Sequence, residues 1–391
     1  PRFEDSDKII NQILEGIPEG QSVFTIPNRK KAINIAISNL NEGDVLLVCG
    51  KGHESTMTVG GKIWYSDDRQ IIKEVLGEIR LKQVHSLAGL LEVPGARLIQ
   101  KGLANGCNGF HFDSRLIKPD FAFLAMEGES QDGHNFIDAA VLNGASLIIV
   151  QKPVELVNKD LTIIQHPSPL KFLQLAARRY RNSHPASFIG ITGSVGKTTL
   201  KDSLVHFMGS EAYGSPGNFN NTLGLPLSVL NMPPNKRFAV FEMGISKPGE
   251  MEQLSNCLNP DIMVFLPVYG SHEGNFKSRE HLLSEKLLAS KFLSENDSIF
   301  VQRIQSDEIE LILGREVSPL DFTTTDLHRF GRGPANSIGF AREIAICLGM
   351  SNADVEDRLQ DLRLSPLRME IRNRGDWTCL LDCYNASPEP T

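Results

Sequence analysis

The 391-residue chain is poor in cysteine, has no long apolar run and has no excess of basic residues. Its six cysteines lie far apart, at positions 49, 107, 257, 347, 379 and 383, so the sequence favours neither a disulfide framework nor a zinc cluster. The longest apolar stretches are too short for a membrane span. A formal net charge of −7 argues against nucleic acid as a partner, because phosphate-backbone binding needs a basic face.

The composition is typical of a soluble globular protein, with 41% hydrophobic and 22% charged residues. The length predicts two to four domains. The first residues, PRFED, show neither a signal peptide nor an initiator methionine, so we expect the chain to begin inside a domain. Unpaired cysteines and the lack of a signal favour a cytoplasmic location.

The most informative stretch is residues 188–200, FIGITGSVGKTTL. It predicts a buried strand, then glycines at every third position, then a helix from Thr198 onward. Glycine lets backbone N–H groups converge on phosphate oxygens, and a helix N-terminus adds partial positive charge. We therefore expect Lys197 to reach the β- and γ-phosphates of ATP and the Thr198 hydroxyl to bind Mg²⁺. An incidental glycine turn is the alternative.

This loop departs from the usual phosphate-binding pattern at Ile191, where a glycine normally stands. The extra glycines are Gly190 and Gly193 instead. The predicted ATP-binding residues of the loop are Gly193, Ser194, Val195, Gly196, Lys197, Thr198 and Thr199.

Two further stretches place polar side chains near this loop. Residues 217–226, GNFNNTLGLP, predict a loop whose Asn218, Asn220 and Asn221 carboxamides bind substrate without adding charge. A buried strand over residues 238–241 ends at Glu242, which puts a carboxylate at the carboxyl edge of the sheet. Such an oxygen is a ligand that Mg²⁺ prefers. A later strand at 260–266 leads toward His272, and Ser278 predicts the start of a helix that carries Lys286.

The segments before the glycine loop suggest separate units. Helices are predicted over residues 7–16 and 29–40, and a strand over 44–49 ends in GKGHE, a weak motif by itself. A helix over 69–82 tails into a charged linker. Further on, Ser114 and Arg115 set a hydroxyl beside a guanidinium fork, which suits a diphosphate. A surface turn with a solvated arginine is the alternative for this pair.

The central part of the chain resembles the Mur ligase family in the order of its motifs. These are GKTT, then GN-x-NN, then a glutamate at the end of a strand, then a histidine and a lysine. The GNFNNTLGLP form, the DSR and DGH segments and the final D-x-Y-N-A-x-P resemble its MurF-type members. The resemblance implies that Glu242 and His272 bind metal and that Lys286 is the lysine many members carbamylate. It also implies that Asn336 meets adenine, that Lys197, Glu242 and Lys286 are catalytic, and that Ser114 and Arg115 bind the UDP end of the substrate. Pro267 departs from a polar pair usual before the histidine.

The opening Pro-Arg, GKGHE and WYSDD resemble the C-terminal domain of MurE-type members of the same family. There the resemblance implies a remnant diaminopimelate site at Arg2, Gly50 and Glu54. An orphaned domain without catalysis is the interpretation we favour for this piece.

The sequence thus predicts an α/β fragment of a MurE–MurF fusion with a central parallel-sheet P-loop ATPase domain flanked by smaller α/β domains. The expected parts are a MurE-like C-terminal domain at 1–75, a linker at 76–83, a UDP-substrate domain at 84–183, the ATP-binding domain at 184–364, and a truncated C-terminal domain at 365–391. We expect a monomer.

The resemblance implies a ligase of peptidoglycan precursor synthesis, with ATP and Mg²⁺ as cofactors and UDP-MurNAc-tripeptide and D-alanyl-D-alanine as substrates. With its last domain cut short, this chain is expected to bind ligands but form little product. The alternatives are another Mur ligase or a folylpolyglutamate synthetase, a P-loop switch or regulatory ATPase, and a non-catalytic fragment.

Overall fold

A computed structural model describes residues 6–18, 23, 25–26, 29–38, 45–50, 56–59, 62–65, 67–75, 84–128, 130–154, 160–269, 275–366, 370–374 and 377–381. The chain divides into two compact units, Pro1–Pro169 and Leu170–Thr391. In the part of the chain so described, no helix has the length and apolar character needed to cross a bilayer.

The first unit combines short helices with a mixed sheet. Its helices are α1 (Ser6–Glu15), α2 (Arg29–Ser38), α3 (Asp68–Val75), α4 (Leu87–Leu91) and α5 (Ile137–Leu142). Its strands are β1 (Thr56–Val59), β2 (Lys62–Tyr65), β3 (His85–Ser86), β4 (Arg97–Gln100), β5 (Gly106–Cys107), β6 (Gly109–His111), β7 (Phe121–Ala125), β8 (Leu147–Val150) and β9 (Thr162–Gln165). Strands in the order β4-β9-β8-β7-β6 form one sheet, parallel except for β4. The continuous apolar runs of β7 and β8 fit a strand buried on both faces.

The strand predicted over residues 44–49 is wrong for the residues that the structure describes. Residues 45–49 form no strand, and Val45 and Leu47 are 92% and 82% exposed. A continuous apolar run alone does not make a strand, because a strand needs a hydrogen-bonding neighbour and a core face to cover. The helices predicted nearby are confirmed as α1 and α2.

The second unit alternates strands with helices. Its helices are α6 (Pro169–Ser183), α7 (Lys197–Met208), α8 (Gly224–Leu230), α9 (Glu250–Leu258), α10 (Arg279–Leu287), α11 (Ser306–Leu313), α12 (Arg332–Cys347) and α13 (Asn352–Asp361). Its strands are β10 (Ser187–Thr192), β11 (Ala212–Gly214), β12 (Phe238–Glu242), β13 (Ile262–Phe265), β14 (Ser298–Gln302), β15 (Ser318–Leu320), β16 (Glu370–Arg374) and β17 (Trp377–Leu381). The last two pair as an antiparallel hairpin.

The main sheet of this unit is parallel throughout, in the order β11-β12-β10-β13-β14-β15. After β10 the chain goes to the edge strand β11, returns to β12 beside β10, and then crosses to β13 on the other side of β10. Parallel sheets bind ligands outside the carboxyl ends of the strands where the order reverses in this way. The reversal lies at β10, the strand that leads into the glycine loop, so the predicted α/β class and central parallel sheet are confirmed.

Candidate nucleotide site

The glycine loop joins β10 to α7 as the strand, loop and helix predicted from the sequence. Gly196, just before the helix, has φ +84°, and a Cβ there would collide with the Ser337 hydroxyl. Gly193 has φ +148°, and its Cβ would lie 2.5 Å from the Leu266 Cβ. Both positions therefore need glycine for conformation and for space.

The segment after β13 braces the glycine loop. Leu266 donates its N–H to the Thr192 carbonyl at 2.8 Å, and the Ser194 N–H donates to the Pro267 carbonyl at 3.1 Å. The Ser194 hydroxyl accepts from the Tyr269 N–H at 3.0 Å. Proline is tolerated at 267 because the loop uses its carbonyl, which proline keeps, and not an N–H, which proline lacks.

Lys197 turns its ammonium over the loop that precedes it. Its Nζ donates to the Gly193 carbonyl at 2.8 Å and to the Ser194 carbonyl at 2.9 Å. The lysine thus lies at the N-terminal end of α7, where the helix adds positive potential of the kind that favours a phosphate.

Glu242 ends β12 next to the first turn of α7. The carboxylate is buried, with 2% of the residue exposed, and its Oε2 accepts from the Thr198 hydroxyl at 3.2 Å. Its Oε1 is buried and accepts no hydrogen bond from the described residues. The Glu242 Oε2 and the Thr198 hydroxyl are hard oxygen donors that lie side by side, so these two residues fit Mg²⁺.

Lys286 reaches the same loop from another element. It lies on α10, whose N-cap Ser278 accepts from the His281 N–H as the sequence predicted. Its Nζ is buried and donates to the Gly193 carbonyl at 3.1 Å. Burial disfavours the ammonium and Lys197 repels it, so the pKa of Lys286 falls to about 7.

The asparagine loop lies beside the end of β12. The Asn220 carbonyl accepts from the Gly244 N–H at 2.9 Å, and the Asn218 carbonyl accepts from the Asn220 N–H at 2.8 Å. The Asn221 Oδ1 accepts from the N–H groups of Leu223 and Gly224 at 3.1 and 2.8 Å. One oxygen of Asn221 is therefore already used to start α8, whereas the loop as a whole borders the carboxylate site.

Asn336 lies near the start of α12, on its exposed side. Its neighbour Ser337 is buried against Gly196 of the glycine loop. The helix begins at Arg332, so Asn336 lies on the helix itself.

In the first unit, Ser114 and Arg115 form a tight turn capped by Asp113. The Asp113 Oδ1 accepts from the Arg115 N–H at 3.0 Å, and the Arg115 guanidinium lies 2.5 Å from Oδ2. Hydrogen bonds from Arg115 lower the pKa of Asp113 to about 2. The Arg115 side chain is 85% exposed, whereas Ser114 is buried.

Some predicted residues fall elsewhere. Arg2, Glu54 and His272 lie outside the described residues. Gly50 is described, exposed and at φ +92°.

One residue beside the carboxylate was not predicted from the sequence. This is Lys201, whose ammonium lies 3.5 Å from the Glu242 Oε1. The only local signal was a second lysine four residues after Lys197, which on a helix predicts a shared face but not burial.

Comparison with protein families matches two adjoining parts of the chain. The Mur ligase middle domain matches residues 191–326, and the model described as Mur ligase family, catalytic domain, matches residues 108–181. The first of these ranges contains the glycine loop and Glu242. The second contains Ser114 and Arg115.

Two relatives carry the name UDP-N-acetylmuramoyl-tripeptide--D-alanyl-D-alanine ligase. The protein of Rickettsia prowazekii is 36% identical over 193 residues, which cover 49% of this chain and 42% of that protein. The protein of Bacillus subtilis is 28% identical over 309 residues, covering 72% of this chain and 68% of that protein. The chain thus spans less than half of the first relative and about two thirds of the second.

Solved structures share the fold. A MurF ligase from Thermotoga maritima in complex with ADP superposes with a TM-score of 0.61 at 26% identity and covers 72% of each chain. A MurF structure from Acinetobacter baumannii gives a TM-score of 0.66 at 21% identity, covering 78% of this chain and 74% of that one. The second likeness speaks for the fold alone.

Proposed function

Because this chain belongs to the Mur ligase family, we propose that it is part of an ATP-dependent ligase that adds D-alanyl-D-alanine to UDP-MurNAc-tripeptide. The observation that carries this proposal is the convergence of three elements on one glycine loop. Lys197, Glu242 and Lys286 come from α7, β12 and α10, and each lies against the loop or its first helical turn. A strand-end carboxylate beside a phosphate-binding lysine suits nucleotide-dependent phosphoryl transfer.

The reaction proposed has two steps. A carboxylate oxygen of the tripeptide attacks the γ-phosphorus of ATP, forming an acyl phosphate and releasing ADP. The amine of D-alanyl-D-alanine then attacks the acyl carbon, an amide bond forms, and inorganic phosphate and a proton leave. Both reactants of the first step are anions, so the positive charge of Lys197 at the loop is needed to offset their repulsion.

A magnesium ion would be held by Thr198 and Glu242, the hydroxyl and carboxylate that lie 3.2 Å apart. When bound, Mg²⁺ supplies charge neutralisation for the β- and γ-phosphates. We assign His272 to the same group from the family resemblance. The loop Gly193–Thr199 would bind the phosphates by its N–H groups, and Asn336, beside Gly196 through Ser337, would meet the adenine.

For Lys286 we propose carbamylation. Its buried amine nitrogen would attack the carbon of CO₂, a C–N bond would form, and one proton would be lost. The product would place two oxygens that share one negative charge beside Gly193 of the glycine loop. A lysine whose pKa is lowered to about 7 holds the free amine that this step requires.

The substrate contacts are proposals by resemblance. Ser114 and Arg115 would bind the uridine diphosphate, for which Arg115 would have to exchange its Asp113 partner for phosphate oxygens. The asparagine loop of Asn218, Asn220 and Asn221 would border the muramoyl-peptide end. Arg2, Gly50 and Glu54 would be the remnant of a MurE-type diaminopimelate site, with no part in this reaction. We place the protein in the cytoplasm, where these substrates are made.

Titration calorimetry on the 391-residue chain tests the proposal. ATP with Mg²⁺ should bind, and Lys197→Ala should weaken this binding about tenfold to a hundredfold, because a charge-assisted hydrogen bond to phosphate is lost. Circular dichroism should show that the variant keeps the fold.

The substrate itself separates the proposal from its main rival. UDP-MurNAc-tripeptide should bind the same chain, and it should do so in the Lys197→Ala variant as well. A chain that binds ATP but not the UDP substrate would instead be a P-loop switch or regulatory ATPase. Chromatography of UDP-MurNAc-pentapeptide, with D-alanyl-D-alanine supplied, then measures the ligase reaction.

A further inference from the structure

Lys201 is a buried cation that the proposed reaction does not use. It lies on α7, and only 3% of the residue is exposed. Its Nζ donates to the Ser215 carbonyl at 2.7 Å and lies 3.1 Å from the Asp202 Oδ1 and 3.5 Å from the Glu242 Oε1. Ser215 follows β11, Asp202 lies on α7 itself, and Glu242 ends β12. One hydrogen bond and two ion pairs therefore hold the ammonium in one place.

The two oxygens of the Glu242 carboxylate face different neighbours. Its Oε2 accepts from the Thr198 hydroxyl on the phosphate-loop side. Its Oε1 accepts no hydrogen bond from the described residues, and its compensation is the charge of Lys201. A carboxylate buried without a partner is strongly disfavoured, so the pair keeps this carboxylate in place.

We propose that Lys201 is a positioning residue for the metal carboxylate. By attracting Oε1, it turns Oε2 toward Thr198, so that Glu242 offers one oxygen to the cation of a metal–nucleotide complex. Without the charge at 201, the carboxylate would be free to rotate, and this would remove an anionic oxygen from beside Thr198. This inference rests on the proposed nucleotide site.

The test compares ATP affinity with Mg²⁺ and with EDTA, in the 391-residue chain and in Lys201→Met. The substitution keeps an unbranched side chain of similar length but removes the charge. We expect a loss of at least about tenfold in affinity with Mg²⁺ and no change in EDTA. An equal loss under both conditions would mean that Lys201 only supports the fold, and this would overturn the role.

Two further variants sharpen the comparison. Lys201→Gln keeps a donor for the Ser215 carbonyl without the charge, and it should show the same selective loss if Lys201→Met fails to fold. Lys236→Met is the matched control, because the Lys236 Nζ also donates to a backbone carbonyl, that of Ser210, at 2.8 Å. It should bind ATP like the unmodified chain under both conditions.

A double-mutant cycle shows whether Lys201 acts through Glu242. In the Glu242→Gln background, Lys201→Met should have no further effect on Mg²⁺-dependent affinity, whereas additive losses would overturn the proposal. If the unmodified chain binds ATP equally with Mg²⁺ and with EDTA, the proposed metal site fails and this role fails with it. If the unmodified chain binds ATP more tightly with Mg²⁺ than with EDTA, and Lys201→Met shows the same ratio of affinities, only the role of Lys201 fails.

Discussion

Lys286 shows how one buried side chain links the site to pH. Its pKa of about 7 in the folded chain compares with an ordinary value of 10.5. Between these values the unfolded chain binds a proton that the folded chain does not, so the free energy of unfolding rises with pH. Below pH 7 both states are protonated, and the buried ammonium is then at its most destabilising.

We therefore predict that Lys286→Met raises the free energy of unfolding near pH 7 and that this advantage shrinks as the pH rises toward 10. The slope of the difference should be at most about 1.4 kcal/mol per pH unit, the value for one proton. Urea unfolding in bicarbonate-free buffer, at several pH values, measures this difference in the free energy of unfolding. Lys291→Met, at an exposed lysine paired with Glu252, is the control for losing a lysine, and parallel pH profiles for Lys286→Met and the unmodified chain would contradict the prediction.

At the scale of elements, α7 is held at both ends. Its first turn faces the glycine loop, and its last turn meets Arg358 of α13. The Arg358 guanidinium donates to the Phe207 carbonyl at 2.7 Å, and the His206 Nε2 lies 2.7 Å from the Arg358 carbonyl. A cation at a helix C-terminus satisfies carbonyls that the helix leaves unpaired.

Arg358→Met should lower the free energy of unfolding by about 1–2 kcal/mol through loss of this cap. Nucleotide affinity should change little, because the twelve residues of α7 put the cap about 18 Å from the loop. Denaturant unfolding and calorimetry measure the two effects. Arg363→Met is the control at an exposed arginine that donates to its neighbour's carbonyl, and a large loss of nucleotide affinity in Arg358→Met would show that α7 transmits the change.

At the scale of the whole molecule, the residues proposed for the nucleotide site lie in the second unit. The glycine loop, Glu242, Lys286 and Asn336 all follow residue 170, where that unit begins. The first unit contains the residues proposed for the UDP end, Ser114 and Arg115.

Deleting residues 1–83 should therefore leave the affinity for ATP with Mg²⁺ unchanged, and it should leave binding of UDP-MurNAc-tripeptide largely unchanged. Calorimetry on the shortened chain, with circular dichroism to verify folding, makes the comparison. Loss of ATP binding in a folded deletion product would show that residues 1–83 contribute to nucleotide binding.

The sequence by itself determined the local parts of the candidate site. The glycine loop between β10 and α7, Glu242 at the end of β12 and the Ser278 cap of α10 were predicted and are confirmed. These features depend on neighbours within a few residues, which periodicity and glycine spacing report directly. The assignment of Asn218, Asn336 and Ser114 to ligands stays a prediction.

Only the tertiary structure decided which distant groups meet. Lys286 reaches Gly193 across 93 positions of sequence, and Lys201 reaches Glu242 because β12 lies next to β10 in the sheet. The strand predicted over residues 44–49 was wrong because strand formation also depends on distant neighbours, and residues 45–49 pair with no strand among the described residues. Burial and charge compensation are properties of the assembled core, and the local pattern of a sequence does not contain them.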